Sequence, residues 1–207
     1  MRGGTMLLMA AAILVYSGLL QRVLDRMRLK DRTALMLIGA MFIGTFLPNL
    51  PLGRVAVNIG GAVIPLGVCG YLLYHAEGYE RWRTLLGSIL TAATVYGLTL
   101  LLPSEPEQLF MDPTLLCSLA GGVIAWALGR SRRGAFICGV FGVLLADTAT
   151  AVVNWSRGIE QQLVLGGGGM ADAAVLSGML SVLLCETIGE AVERIVRARM
   201  ARGGDGR

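Results

Sequence analysis

Apolar runs of a length that suits a membrane helix recur along this chain, each closed by charge, proline or a glycine cluster. They fall at residues 6–20, 33–47, 55–74, 84–102, 114–129, 135–153 and 171–188. A helix needs about 20 predominantly apolar residues to cross the hydrocarbon of a bilayer, and several runs are about a turn shorter than that. The balance agrees with the pattern: 55% of the 207 residues are hydrophobic, only 15% are charged, and the mean hydropathy is +0.66. A soluble domain carries about 25% charged residues. The expected fold is therefore all-α, a polytopic transmembrane helix bundle of about seven spans. Residues 1–188 would form the transmembrane domain and 189–207 a basic tail helix.

Positive charge orients such a bundle, because loops rich in Lys and Arg stay on the cytoplasmic side. Alternation puts the loops after runs one, three and five on the same side as the C-terminal tail. Those regions hold 15 of the 18 basic residues, leaving Arg2, Arg54 and Arg157 for the other side. The chain is predicted to be N-out and C-in, a multi-pass protein of the inner (cytoplasmic) cell membrane. In the first run the positive charge follows the apolar residues, which predicts a retained span and not a cleaved leader. The net charge of +4 and pI near 9.1 are accounted for by this topology. The arginines sit at the ends of apolar runs and not on one face, so nucleic acid is not an expected partner.

Glycine and proline punctuate the runs. Pro48-Asn49-Leu50-Pro51 stops the second run. The third contains Asn58, Gly60-Gly61 and Pro65, so its outer half is expected to be kinked or unwound, which lipid tolerates only where protein or water satisfies the backbone. The loop 154–169 ends in Gly166-Gly167-Gly168-Gly169. Four bare N–H groups before a helix suit an anion, but no Lys and Ser/Thr complete a phosphate loop. A flexible turn allowing close helix approach is the expected role. Beyond Ile188, the spacing of Val192, Ile195 and Val196 and the pairs Glu190/Arg194 and Glu193/Arg197 predict an amphipathic helix on the cytoplasmic surface.

Ionisable groups inside spans are costly and point to function. Asp147 lies about six residues, or about 9 Å at 1.5 Å per residue, below the outer end of the sixth run, and Asp172 just inside the outer end of the seventh. Antiparallel neighbours would bring both to the outer half of the membrane. Asn154, seven residues after Asp147 on the same helical face, and Asn58 complete an expected polar pocket opening outward. Two close carboxylates cannot both stay ionised cheaply, so they would share a proton. A proton- or cation-coupled transporter uses such a pair, and so does an aspartyl hydrolase that activates water. Asp172 also suits a plain helix cap. Cys69, Cys117, Cys138 and Cys185 lie in apolar runs without C-x-x-C spacing and are expected to be small buried hydrophobes. The single His75 leaves no Ser-His-Asp set deep in the membrane.

The residues Asn58-Ile59-Gly60-Gly61-Ala62-Val63-Ile64-Pro65-Leu66, the span with Ala146-Asp147 and nearby Asn154, and Gly166 to Gly169 followed by Asp172 and Leu176-Ser177-Gly178 resemble an uncharacterised prokaryotic multi-pass membrane family, domain of unknown function 1614. This likeness runs from about the second span onward. It implies a fold and no activity. A weaker resemblance is to intramembrane aspartyl proteases of the presenilin and signal-peptide-peptidase type, which place one Asp in span six and another in span seven after glycines. Here Met170-Ala171 separates Gly169 from Asp172, and no Tyr precedes Asp147.

The expected function is small-solute or cation/proton-coupled transport, with Asp147, Asp172, Asn58 and Asn154 as the binding residues. The alternatives are a hydrolase in which Asp147 and Asp172 are catalytic, and a membrane scaffold acting through its basic tail. No cofactor or metal is expected. Expected partners are the lipid bilayer, a proton or small cation, and a second copy or another membrane protein.

Overall fold

A computed structural model describes residues 31–101, 113–129 and 131–203, with Gly18, Gln21 and Val23; for 31–35, 113–115 and 190–203 it describes the backbone alone. The first apolar run and the acidic loop around 103–112 lie outside the described residues. The described chain is mostly helical. Asp31–Phe46 forms α1, Ile64–Tyr74 α2, Gly78–Leu101 α3, Pro113–Gly129 α4, Arg132–Ser156 α5 and Ala173–Gly203 α6. Of these, α3 and α5 are long and apolar enough to cross a membrane, while α1, α2, α4 and the first half of α6 contain shorter apolar stretches.

Two boundaries differ from expectation, and both have local causes. The polar segment before the fourth apolar run is helical from Gly78, so Tyr79–Arg83 forms the first turn of α3. Arg81 anchors that turn through Nε to the Ala76 carbonyl (2.8 Å) and Nη2 to the Tyr74 carbonyl (2.5 Å). At the other end of the fourth helix, Ser131 caps α5: its Oγ accepts from Gly134 N (3.0 Å) and donates to Glu80 Oε1 (2.5 Å). The last helix continues unbroken from Ala173 to Gly203, so the tail at 189 is a continuation of the same rod.

The all-α expectation requires a larger correction. Leu50–Leu52, Val55–Val57 and Leu163–Leu165 form strands β1, β2 and β3 of a three-stranded sheet in that order. β1 and β2 are an antiparallel hairpin pairing Leu50 with Val57 and Leu52 with Val55, turned at Gly53, whose φ of 71° suits glycine. Pro51, which has no N–H, sits on an edge strand, where its missing donor breaks no ladder. β2 pairs with β3 in parallel, so residues 55–57, read as the start of a helix, are extended instead. The helical part of that segment begins as a π-helical turn, Ile59–Val63, and becomes α-helical at Ile64 with Pro65 in the first turn. Proline is pre-organised for that position, so Pro65 starts the helix and does not kink it.

α5 is the hub. Its residues Gly134 to Val140 are all buried, and it packs against α2, α3, α4 and α6. Small residues set the approach. A Cβ on Gly139 would stand 2.8 Å from Gly178 Cα, one on Gly142 2.5 Å from Thr91 Cγ2, and one on Gly87 2.7 Å from Cys138 Sγ. Such contacts let helix backbones come close. Between them lies a core that includes Leu72, Val95, Ile137, Val143 and Val182.

The tightest approach is made where three segments cross at one end of the bundle. Gly60 and Gly61 pass between α1 and the loop before α6: a Cβ on Gly60 would collide with the Met41 carbonyl and Thr45, and one on Gly61 with the carbonyls of Gly166 and Gly169. Gly166 and Gly169 have φ of 70° and 60°. Thr45 Oγ1 donates to the Met41 carbonyl (2.8 Å) and accepts from Met170 N (3.2 Å), while Asn58 N donates to the Leu165 carbonyl (2.9 Å).

Gly61→Ala is expected to lower stability by about 2 kcal/mol or more, because overpacking against backbone has no soft neighbour to displace. Gly67→Ala in α2, where nothing lies within 4 Å of an added Cβ, is expected to be neutral or to stabilise by up to about 1 kcal/mol. Denaturant unfolding of the two purified variants checks the contrast. Equal stabilities would mean that the crossing is loose.

Candidate functional site

The two aspartates are brought to one level by helix geometry. Where Gly139 meets Gly178, α5 and α6 run antiparallel, so moving up α5 and back along α6 leads to the same end of the bundle. Asp147 is eight residues beyond Gly139 and Asp172 six before Gly178, rises of about 12 and 9 Å at 1.5 Å per residue. Their heights thus differ by only about one residue pair. In agreement, Asp172 is the charged group whose field reaches Asp147. Both side chains are half-buried. α5 continues to Ser156, so Asp147 lies nine residues from the helix end, deeper than the six counted from the apolar run alone.

The two differ in what holds them. Asp172 follows the short helical turn Gly169–Ala171 in an extended conformation, φ −64° and ψ 148°, which is the geometry of a helix N-cap. Its Oδ1 accepts from Ala174 N (3.0 Å) and its Oδ2 from Gly168 N (3.1 Å). Both oxygens therefore already hold backbone donors, and the position is fixed by the loop and by α6 together. Asp147 projects from mid-helix, with no hydrogen-bond donor on its carboxylate among the described residues. Its field also reaches Cys117 on α4, whose Sγ lies 4.0 Å from Thr99 Oγ1 on α3. Thr99 of α3 and Cys117 of α4 thus meet at this level, and Cys117 lies within reach of the Asp147 charge on α5.

The two asparagines hold loops in place. Asn58 is buried; its Oδ1 accepts from Gly61 N (2.9 Å), capping the π-helical turn, and its Nδ2 donates to Asn49 Oδ1 (2.9 Å). Asn154 donates through Nδ2 to Gln161 Oε1 (3.2 Å), and the adjacent Trp155 Nε1 donates to the Gln161 carbonyl (2.9 Å). Each holds a loop in place. A cavity of about 310 Å³ at this end is lined by Gly53, Arg54, Trp155, Glu160, Gln161 and Gln162, and none of the four expected site residues lines it. Among the described residues no group of three or more His, Cys, Asp or Glu forms a metal-binding cluster.

Thr99 and Cys117 were not among the residues expected from sequence. Cys117 lies four residues before Gly121, whose added Cβ would stand 2.7 Å from Ser177 Oγ and 3.3 Å from Val143 Cγ2. Asp147 is likewise four residues after Val143, so the same helical face carries both towards each other. That relation needs the pairing of α4 with α5, which no local spacing states.

Asp172→Ala is expected to cost about 1–2 kcal/mol by removing a cap, and Asp172→Asn less, because its one oxygen can still accept from Ala174 N while Gly168 N loses its acceptor. Asn58→Ala should cost about 2 kcal/mol, since it strands the buried Gly61 N–H. Thermal unfolding of the three variants distinguishes these outcomes. An Asn substitution at 172 as harmful as Ala would show that one cap bond is not enough and that the acceptor for Gly168 N is needed as well.

No curated protein and no solved structure matches the sequence. The family model described as a protein of unknown function, DUF1614, matches residues 20–184. Matched across most of its length, the chain belongs to the DUF1614 family.

Proposed function

We propose that this chain is a multi-pass protein of the cell membrane, seven spans with N-out and C-in topology, in which Asp147 takes up a proton or small cation for coupled transport, assisted by Asp172. The membrane part of this reading is supported by the inverted polarity of α3. That helix buries Thr84, Ser88 and Thr91 and exposes Leu86, Ile89 and Leu90. In water a helix does the reverse, and a large apolar surface outside with polar side chains inside is the informative combination. Lipid makes it sensible, because apolar side chains then face apolar solvent and hydroxyls bond within the bundle: Ser88 Oγ donates to the Thr84 carbonyl (2.9 Å) and Thr91 Oγ1 to the Gly87 carbonyl (2.8 Å). The orientation rests on the distribution of Arg and Lys.

The transport part rests on one observation, the half-buried Asp147 carboxylate lying within the field of Asp172. A carboxylate with lone pairs to spare, beside a second negative charge, favours a cation or proton over an anion. Asp172 already accepts two backbone donors, which leaves Asp147 as the carboxylate with free lone pairs. A hydrolytic pair must hold a water between two free carboxylate oxygens, and both oxygens of Asp172 are already taken up by the backbone N–H groups of Gly168 and Ala174. The ion-binding reading is therefore preferred.

Reporter fusions check the topology: a fluorescent cytoplasmic reporter after residue 207 should be active, and a periplasmic phosphatase should be active at the loop around Arg157. The opposite pattern would invert the orientation. For the activity, liposomes containing the full chain and a pH-sensitive dye are expected to show proton or monovalent cation flux, reduced by at least about tenfold in Asp147→Asn, the loss expected when an essential ionisable group is neutralised. Flux that is unchanged in Asp147→Asn would remove the transport reading.

A further inference from the structure

At the end of the bundle opposite the aspartates, a cavity of about 810 Å³ opens between the end of α4, the start of α5 and the middle of α6, with Trp126, Ala127, Arg132, Cys185 and Ile188 among its walls. This volume falls in the range of small-ligand sites, roughly 300–1,000 Å³. Its polarity is divided. Ala127, Ile188 and the Trp126 ring make an apolar wall, and Arg132 supplies a permanent positive charge whose field reaches Cys185. Ser131, on the same wall, already uses its hydroxyl on Gly134 N and Glu80. Arg132 is exposed and forms no ion pair among the described residues.

A lone guanidinium with a planar fork of donors matches a phosphate oxygen pair. Tryptophan and arginine beside apolar helix ends belong to the headgroup level of a bilayer, and basic pockets between helices on the cytoplasmic side suit anionic headgroups. We propose that this cavity binds the headgroup of an anionic glycerophospholipid. Arg132 meets the phosphate, and Trp126 and Ile188 lie along the glycerol and upper acyl chain. The inference rests on the membrane reading given above and concerns a different site from the aspartates.

The test uses the full chain purified in detergent, mixed with phosphatidylglycerol or phosphatidylcholine, with retained lipid counted by native mass spectrometry and inorganic phosphate added as competitor. Phosphatidylglycerol is expected to be retained in preference to phosphatidylcholine. Arg132→Gln should lower its retention by about tenfold, as loss of one charge-assisted contact predicts. Ala127→Trp, which fills the cavity and keeps the charge, should lower it as well, and Arg133→Gln, off the cavity wall, should leave it unchanged. Equal retention by wild type and Arg132→Gln would overturn the site. Displacement by millimolar inorganic phosphate would make the ligand a free phosphate compound and overturn the lipid assignment. Carbonate washing of membranes separates the two levels: a chain that stays in the membrane with retention insensitive to Arg132 loses only this site, whereas a chain released by carbonate loses the membrane reading too.

Discussion

Much of this structure depends on backbone meeting backbone without a side chain between. Gly60 and Gly61 run between α1 and the Gly166–Gly169 loop at distances where any Cβ would collide with a carbonyl. Loop, π-helical turn and α1 are locked by short bonds through Thr45 and Asn58. Because Gly168 and Gly169 lead directly into Asp172, this crossing also sets where α6 begins. The position of one of the two carboxylates is thus a consequence of glycine packing more than 100 residues earlier in the chain.

The second organising element is α5, buried from Gly134 to Val140 and touching four other helices. Its glycines set helix separation, while the position of Asp147 on it sets the depth of the candidate site. The buried hydroxyls of Ser88 and Thr91 bond back to carbonyls of α3 one turn earlier, which lets these residues be buried without a partner helix having to supply acceptors. That arrangement leaves the apolar side chains of α3 free to face outward, and it is the basis for placing the bundle in lipid. Arg132 at the start of α5 and Asp147 in its second half are about 22 Å apart along the helix at 1.5 Å per residue, so the two proposed sites are separate.

The sequence made parts of this site legible for physical reasons. Charge inside an apolar run is conspicuous, so Asp147 and Asp172 stand out, and alternation of antiparallel runs already places them at one end. A Gly-rich turn before a helix without a phosphate-loop lysine reads as a packing element, and Gly61 against Gly166 is such a contact. Less was legible for Asn58 and Asn154. A polar residue near a helix end fits a ligand site and a cap equally well until its partners, Gly61 and Gln161, are known. Residues 55–57 misled for a similar reason: Val-Ala-Val is apolar and short, and periodicity alone does not separate a short buried strand from the start of a helix.

The sequence by itself determined most of the helices among the described residues, the level that both acids share and the membership in the DUF1614 family. These follow from local composition and from motifs that any neighbour along the chain can see. Only the tertiary structure decided that β2 pairs with β3, that Asp172 is held by Gly168 and Ala174, and that Cys117 and Thr99 stand at the level of Asp147. Each of these joins residues that are distant in sequence or whose roles depend on one hydrogen bond. Their geometry is set by how closely glycine lets the segments approach, and that is a property of pairs of segments which no single stretch of sequence contains.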